Sequence, residues 1–300
     1  MKILLIGRDG QLGWELQRAL APLGELVAAG RRGDGPVADL ARPDSLAALV
    51  RQVQPELIVN AAAHTAVDRA ETEPAVAQAL NADAPGVLAR EAAALGATLV
   101  HYSTDYVFDG SGQEARDEDA PTGPLSVYGR TKLAGEQQVQ ASGCRHLILR
   151  TSWVYAARGG NFARTMLRLA AERDGLRVID DQVGAPTGAE LIADVTAHAV
   201  RRLQREPALA GLYHLAAAGQ TSWHGYACHV IEWARARGHP VRVAADAVRP
   251  IPTRDYPTPA ARPLNSRLDT RRLRDAFGLH LPPWQQGVDR MLDEVLGPGA

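Results

Sequence analysis

The chain has 300 residues, of which 46% are hydrophobic, and its 33 Lys and Arg nearly balance its 34 Asp and Glu. This composition is typical of a globular protein, and the charge balance argues against nucleic acid or an anionic membrane as a partner. The two cysteines, Cys144 and Cys228, lack metal-ligand spacing and fit a reducing compartment. The apolar opening Lys2–Ile6 is too short for a signal peptide, and no later run approaches a bilayer span. We therefore expect a cytoplasmic protein.

The first half of the chain alternates short apolar runs with longer Ala- and Leu-rich segments of helical period. This alternation is typical of βαβ units and a parallel sheet. The sequence therefore predicts an α/β fold with a Rossmann-type, doubly wound parallel sheet. The predicted strands are Lys2–Ile6, Glu25–Ala29, Leu57–Ala61, Thr98–Ser103, His146–Arg150 and Arg177–Ile179, and the predicted helices begin near Gln11, Ser45 and Thr131 or span Glu73–Ala94.

The pattern changes after Arg150. The stretch Val248–Asn265 is predicted to be a binding loop, because its density of proline excludes a regular helix or a central strand. Leu212–Leu215 and the helical segment Ser222–Arg237 indicate that the chain returns to the sheet before it builds a smaller lobe. We predict a dinucleotide-binding domain at 1–150, to which strands near 177–184 and 212–216 return, and a discontinuous C-terminal substrate-binding lobe at 151–175 and 217–300.

Three glycines, Gly7, Gly10 and Gly13, lie between the first predicted strand and the first predicted helix. At such a turn, backbone N–H groups and the positive end of the helix bind the pyrophosphate of a dinucleotide. The spacing G-x-x-G-x-x-G has one residue more before its second glycine than the general fingerprint. The alternative is a glycine-rich turn without a ligand, but the flanking strand and helix favour cofactor binding.

The second predicted strand runs into Gly30-Arg31-Arg32, where the dinucleotide fingerprint expects an acidic residue for the ribose 2′-hydroxyl. Two guanidinium groups suit the 2′-phosphate of NADP instead, because planar donors hold phosphate oxygens in bidentate fashion. The alternative is a solvated, charged turn. We therefore expect NADPH as the cofactor and leave NADH open.

Tyr128 and Lys132 are spaced i and i+4, so they share one face if the segment is helical. An adjacent ammonium favours the phenolate of a tyrosine and would lower the pKa of Tyr128. When a carbonyl receives hydride its oxygen needs a proton, which Tyr128 can donate. Thr104, at the end of a predicted strand, offers a hydroxyl to the same carbonyl. The alternatives are an ordinary amphipathic helix and an ordinary hydroxyl at a strand end.

Several motifs together resemble the extended short-chain dehydrogenase/reductase family, and within it the dTDP-4-dehydrorhamnose reductases. The resemblance runs from end to end of the chain. It rests on the glycine loop and on the segments Asn60–Asp68, Ser103–Phe108, Tyr128–Lys132, Arg150–Tyr155, Asp181–Thr187 and Asn265–Leu268.

The resemblance implies an oxidoreductase that reduces dTDP-4-dehydro-β-L-rhamnose at its C4 carbonyl with NADPH, the last step of dTDP-L-rhamnose synthesis. It implies that Thr104 orients the carbonyl, that Tyr128 gives the proton, and that Lys132 biases Tyr128 and holds the nicotinamide ribose. By the same similarity, Thr104, Asp105 and Trp153 contact the substrate. The cofactor-contacting positions are Gly10, Gln11, Leu12, Asp39, Leu40, Ala63, His64, Thr65, Tyr102, Tyr128 and Lys132, in addition to Gly7, Gly13, Arg31 and Arg32.

Some relatives dimerise through Mg²⁺ bound by glutamates, and Glu15, Glu190 and Glu294 match those positions. Carboxylates suit such a hard cation. However, the helix dipole alone favours Glu15 in the first turn of a helix, and Thr187-x-x-Glu190 is also the pattern of a capping box. The resemblance therefore leaves a Mg²⁺ site and a homodimer open.

Two other functions fit parts of this pattern. A nucleotide-sugar dehydratase or epimerase uses its cofactor transiently, but the dehydratases resemble one another in an Asp-Glu pair where this chain has Asp105-Tyr106. The regulatory subunit of methionine adenosyltransferase resembles these reductases without catalysing a reduction, but the presence of Thr104, Tyr128 and Lys132 argues against that role. The expected partner is a small-molecule dTDP-sugar, and the candidates for contact with its diphosphate are Arg262, Asn265 and Arg267.

Overall fold

A computed structural model describes residues 1–33 and 35–297. Its centre is a six-stranded parallel sheet built from β1 (Lys2–Ile6), β2 (Glu25–Ala29), β3 (Leu57–Asn60), β4 (Thr98–Thr104), β5 (Arg145–Thr151) and β10 (Gly211–His214). The strand order is β2-β1-β3-β4-β5-β10, so the order of winding reverses beside β1. This arrangement is a doubly wound parallel sheet, as the sequence predicts.

Helices cover both faces of this sheet, and several more follow β5. Among the described residues, no helix combines the length and the apolar character needed to cross a membrane. A π-helical turn, Ala79–Asp83, joins two of the helices. The helices are α1 (Gln11–Leu20), α2 (Pro43–Val53), α3 (Val67–Thr72), α4 (Pro74–Gln78), α5 (Ala84–Leu95), α6 (Val127–Ala141), α7 (Phe162–Glu172), α8 (Ala189–Leu203), α9 (Trp223–Ala236), α10 (Arg271–Phe277) and α11 (Trp284–Leu296).

Two helical segments differ from the sequence prediction. Helix α6 begins at Val127 rather than near Thr131, because Ser126 caps it: its Oγ accepts the N–H of Gly129 at 3.1 Å. The segment predicted as one helix from Glu73 to Ala94 is divided into α4, the π turn and α5. Proline occupies the first turn of both α4 and α5, which is where a helix tolerates it.

Short strands pair outside the main sheet. They are β6 (Val154–Tyr155) with β9 (Thr187–Gly188), β7 (Leu176–Ile179) with β12 (Val248–Ile251), and β8 (Val183–Gly184) with β11 (Thr221–Ser222). The expected return of the segment near 177–184 to the main sheet is therefore wrong. The physical reason is that β10 occupies the place beside β5, where such a strand would pair.

Both faces of the main sheet are buried. Because successive side chains of a strand point to opposite faces, Ile3 and Leu5 pack with α1 and α8, while Leu4 and Ile6 pack with α2 and α5. This double burial explains why the strands are continuous apolar runs in the sequence. A third core consists of residues beyond 150 and joins α7, α9 and α11. The domain boundaries given above stay a prediction.

Candidate active site

The site lies at the carboxyl edge of the main sheet, where parallel strands place their last residues side by side. Gly7 follows β1, Ala61 follows β3, and Thr104 ends β4. Tyr128 lies in the first turn of α6. The fold therefore brings the glycine loop, the predicted carbonyl-binding threonine and the predicted proton donor to one edge.

The hydroxyl groups of Thr104 and Tyr128 lie close together. The Oγ1 of Thr104 donates to Oδ1 of Asp105 at 3.1 Å and accepts the N–H of Tyr106 at 3.2 Å. Burial raises the pKa of Tyr128 to about 12, although the neighbouring hydroxyl of Thr104 partly opposes this rise. Tyr128 is therefore a neutral phenol near neutral pH, which is the form that can donate a proton.

Lys132 lies one turn further along α6 and is 2% exposed. Its Nζ donates to the carbonyl oxygen of Tyr102 at 2.6 Å. Burial lowers the pKa of Lys132 to about 8, while the charge of Glu136 opposes this fall. The spacing of Tyr128 and Lys132 predicted a lowered pKa for Tyr128, and this prediction is wrong because burial, the largest effect, raises that pKa.

Contacts from distant segments hold the first turn of α6. The N–H of Val127 donates to Oε1 of Glu71 at 2.7 Å. A Cβ at Gly129 would overlap the carbonyl oxygen of Tyr106, so only glycine allows this approach. The ring of Tyr106 in turn meets the ring of Tyr128 edge to face, with centroids 5.5 Å apart. Tyr128 is thus fixed by packing before any ligand binds.

The glycine loop has the geometry of a dinucleotide cradle. Gly7 has φ of +91°, and a Cβ there would lie 2.8 Å from the backbone nitrogen of Ala62. A Cβ at Gly13 would overlap the carbonyl oxygen of Gly7. Gly10 precedes α1 and gives it no side-chain cap, so the N–H groups of Gln11 and Leu12 in the first turn have no capping side chain. These residues fit a bound pyrophosphate.

The turn after β2 contains the residues that we expect to bind the adenosine ribose. Arg31 and Arg32 are exposed there. A Cβ at Gly30 would lie 2.5 Å from Oδ2 of Asp9 and 2.9 Å from Nε of Arg8. The side chains of Arg8 and Asp9 therefore occupy the space where the fingerprint expects an acidic side chain. Sequence reasoning missed both, although their positions inside the glycine loop were a usable signal.

Asp39 and Leu40 follow the same turn and lie beside the edge of the sheet. Oδ1 of Asp39 accepts the N–H of Ala41 at 3.1 Å, and its carbonyl oxygen accepts the N–H of Arg42 at 2.9 Å. Leu40 is buried in the core under α2. Asp39 thus shapes the turn that leads into α2.

The segment Ala63-His64-Thr65 is tied to α6 by a residue that sequence reasoning missed. Asn81, in the π turn, accepts the N–H of His64 at 2.8 Å and donates to the carbonyl oxygen of His64 at 3.1 Å. Its Nδ2 also donates to Oγ1 of Thr131 at 3.2 Å. A π turn often marks a functional site. The sequence signal was only an asparagine in an apolar helical segment.

At the carboxyl edge of the sheet, Tyr102 contributes its backbone carbonyl group rather than its side chain. Its hydroxyl forms a hydrogen bond of 2.8 Å with Oγ1 of Thr196 in α8, and burial raises its pKa. Its carbonyl oxygen accepts from Lys132. The phenol therefore lies in the core on the opposite face from α6.

Asp105 is a buried carboxyl group next to Thr104, with 2% exposure. Burial raises its pKa to about 6, and the neighbouring hydroxyl groups of Ser266 and Thr104 oppose this rise. Its Oδ2 has no hydrogen-bond partner among the described residues. This oxygen is therefore suited to accept a hydroxyl of a bound ligand.

The three candidates for a diphosphate contact fasten the proline-rich loop. Arg262 forms a bidentate pair with Asp68, at 2.8 and 3.1 Å. Asn265 donates to the carbonyl oxygen of Glu114 at 2.8 Å, and its Oδ1 accepts from Arg267 at 3.0 Å. These bonds give all three residues a structural role that the sequence did not reveal.

The three glutamates expected to bind Mg²⁺ approach one another but do not form a metal site. The pKa of Glu190 is raised first by burial and further by the charges of Glu15 and Glu294. Arg18 lies 3.6 Å from Glu15, and Arg290 lies 3.5 Å from Glu190. Across 1–33 and 35–297, no group of three or more His, Cys, Asp or Glu side chains is arranged to hold a metal. The expected Mg²⁺ site is not supported, because arginines supply the opposing charge.

Comparison with known proteins decides the family. The family described as RmlD substrate binding domain matches residues 1–296 of the chain. A dTDP-4-dehydrorhamnose reductase of Shigella flexneri is 55% identical over 295 residues, which cover 98% of each chain. This chain belongs to the dTDP-4-dehydrorhamnose reductase family. The family predicted from the sequence is confirmed.

Solved structures of dTDP-4-dehydrorhamnose reductases share this fold. The enzyme of Clostridium acetobutylicum has a TM-score of 0.88 at 33% identity, covering 99% of this chain and 100% of its own. The enzyme of Bacillus anthracis, solved in complex with NADP, has a TM-score of 0.86 at 32% identity, covering 98% of this chain and 99% of its own. The predicted fold class is therefore confirmed.

Proposed function

We propose that this chain reduces dTDP-4-dehydro-β-L-rhamnose to dTDP-β-L-rhamnose with NADPH, the last step of dTDP-rhamnose synthesis. The observation that carries the proposal is that the hydroxyl groups of Thr104 and Tyr128 lie close together at the carboxyl edge of the sheet, in a chain of the dTDP-4-dehydrorhamnose reductase family. Two hydroxyl groups so placed can both meet one carbonyl oxygen.

The cofactor supplies a hydride to C4 of the sugar when it is bound. Thr104 orients the C4 carbonyl and stabilises charge on its oxygen. Tyr128 donates its phenolic proton to that oxygen, since its raised pKa keeps it protonated near neutral pH. Lys132 lies one turn of α6 after Tyr128, donates to the carbonyl oxygen of Tyr102, and is assigned to hold the nicotinamide ribose. Atoms and charge balance because the carbonyl gains one hydride and one proton.

Residues along the carboxyl edge are assigned to the two ligands. The glycine loop and the first turn of α1 hold the pyrophosphate, and Arg31 and Arg32 favour NADPH over NADH through the 2′-phosphate. Asp105 and Trp153 contact the sugar. The remaining cofactor contacts are assigned to Asp39, Leu40, Ala63, His64, Thr65 and the backbone of Tyr102.

A dehydratase or epimerase is the second candidate, and a regulatory subunit is the third. Tyr106 follows Asp105 where the dehydratases resemble one another in a glutamate, and its ring packs against Tyr128. An acid for the elimination of water is thus missing at that position. The assembled Thr104, Tyr128 and Lys132 also favour catalysis over a purely regulatory role.

The variant Tyr128→Phe tests the assignment of the proton donor. It removes one hydroxyl and keeps the ring, so we expect kcat to fall by about 10²–10⁴-fold. Tyr106→Phe is the matched control, because it removes the hydroxyl of the neighbouring ring and should keep most of the activity. Equal rates for Tyr128→Phe and the wild type, with dTDP-4-dehydrorhamnose as substrate, would contradict the assignment.

A further inference from the structure

Trp153, which follows β5, has an unusual backbone. Its φ is +49°, in the left-handed region that residues other than glycine rarely occupy. Such a conformation is strained and persists only where the surroundings impose it. Here the N–H of Thr187 donates to the carbonyl oxygen of Trp153 at 3.2 Å, and Ser152 donates through Oγ to the carbonyl oxygen of Ala185 at 3.1 Å. The neighbouring segment therefore holds the backbone from which the Trp153 indole projects.

The indole of Trp153 is stacked on that of Trp223, the first residue of α9. The ring centroids are 3.7 Å apart and the planes are inclined by only 14°. Trp223 is itself fixed: its Nε1 donates to Oε1 of Gln182 at 3.1 Å, and Phe162 packs on it with centroids 4.6 Å apart. Gln182 is 3% exposed and donates to Oγ1 of Thr253 at 3.1 Å. The indole of Trp223 is thus held by Gln182 and Phe162.

A continuous line of contacts joins this pair of rings to Thr104. Gly184 lies beside the six-membered ring of Trp153, since a Cβ at 184 would be 3.0 Å from Cε2 and also 3.0 Å from the Cβ of Ser266. The side chain of Ser266 lies beside the carboxyl group of Asp105, which contacts Thr104 at 3.1 Å. The absence of a side chain at Gly184 allows Trp153 and the loop of Ser266 to lie this close. Trp153 therefore borders the same site as Thr104.

We propose that Trp223 is a positioning residue for the sugar. By stacking on one face of Trp153, it fixes the orientation of that indole, whose remaining surface forms an apolar wall for the pyranose ring. The inference rests on the proposed function, because it assigns Trp223 to binding of the same keto sugar. Without Trp223 the indole of Trp153 gains freedom, and ordering it again on binding weakens the affinity for the sugar.

The test compares Trp223→Ala, Trp223→Phe and Trp153→Ala by steady-state kinetics. We expect Trp223→Ala to raise KM for the keto sugar by about tenfold while kcat and KM for NADPH change by less than about twofold. Trp223→Phe should recover most of this loss, because a smaller ring can still stack. The double variant Trp153→Ala/Trp223→Ala should be no worse than Trp153→Ala, since Trp223 acts through Trp153.

Two further measurements separate this role from a merely structural one. Stacked indoles give an exciton couplet in circular dichroism, which should disappear in both Trp153→Ala and Trp223→Ala. Trp233→Ala, on the same helix and in the same core, should lower Tm without raising KM for the sugar. If the wild type reduces the keto sugar and Trp223→Ala keeps the wild-type KM, or the two substitutions are additive, the role of Trp223 is wrong. If the wild type does not reduce the keto sugar, the proposed function fails and this role with it.

Discussion

At the scale of single residues, Tyr128 and Lys132 show what a spacing in the sequence can and cannot predict. The spacing indicated that both side chains lie on one face of a helix, and α6 places them so. It could not predict the direction of the pKa shift of Tyr128, because that depends on burial by segments far away in the chain. Asn81, Ser266 and Trp223 were missed for the same reason.

Asp105 gives a test at the same scale. In the folded chain its pKa is raised to about 6, so between about pH 4 and pH 6 the folded state binds more protons than the unfolded state. The free energy of unfolding therefore falls as the pH rises through this range, by on the order of 3 kcal/mol. Asp105→Asn, which carries no charge, should be more stable than the wild type near pH 7 and equally stable near pH 4, as measured by denaturant unfolding.

Asp109 provides the control for this prediction. Hydrogen bonds from Ser111 lower its pKa, so its ionised form stabilises the fold, and Asp109→Asn should not gain stability near pH 7. The raised pKa of Asp105 is contradicted if Asp105→Asn is less stable than the wild type near pH 7, or if its gain in stability persists at pH 4.

At the scale of elements, the sheet was largely predictable and the short strands were not. The predicted ends of the main strands lie within one or two residues of β1 to β5, because strands buried on both faces are continuous apolar runs. The start of α6 depends on the cap at Ser126, which is a local signal that the prediction overlooked. The partner of β7 depends on which strand occupies the edge beside β5, and no local pattern encodes that.

The prediction at the scale of elements concerns the cofactor preference set by the turn after β2. Replacing Arg31 and Arg32 together by serine removes two guanidinium groups that can pair with the 2′-phosphate. We expect the ratio of kcat/KM for NADPH to that for NADH to fall by at least about tenfold, mainly through KM for NADPH. Arg42→Ser, at an exposed arginine before α2, should leave the ratio unchanged.

The reference for this comparison is the ratio of kcat/KM for NADPH to that for NADH in the wild type. A wild-type preference for NADH that survives the double substitution would show that the turn does not read the 2′-phosphate. Arg8, whose side chain lies beside Gly30, would then be the next residue to replace.

At the scale of the whole molecule, the function depends on segments that meet only in the fold. The glycine loop and Thr104 belong to the main sheet, whereas Trp153 and Ser266 come from segments after β5. Most of these segments could be identified from the sequence, because their motifs resemble those of a family. The distances between them could not be predicted, because contacts such as that of Asp68 with Arg262 join residues far apart in the chain.

The stoichiometry of NADPH oxidation with dTDP-4-dehydrorhamnose made in situ tests the proposed reduction directly. One NADPH should be oxidised for each dTDP-rhamnose formed, since the reduction consumes a hydride. Conversion of the sugar without net oxidation of NADPH would contradict it and indicate a dehydratase or an epimerase. Binding of NADPH without any conversion would contradict it as well and favour a regulatory subunit.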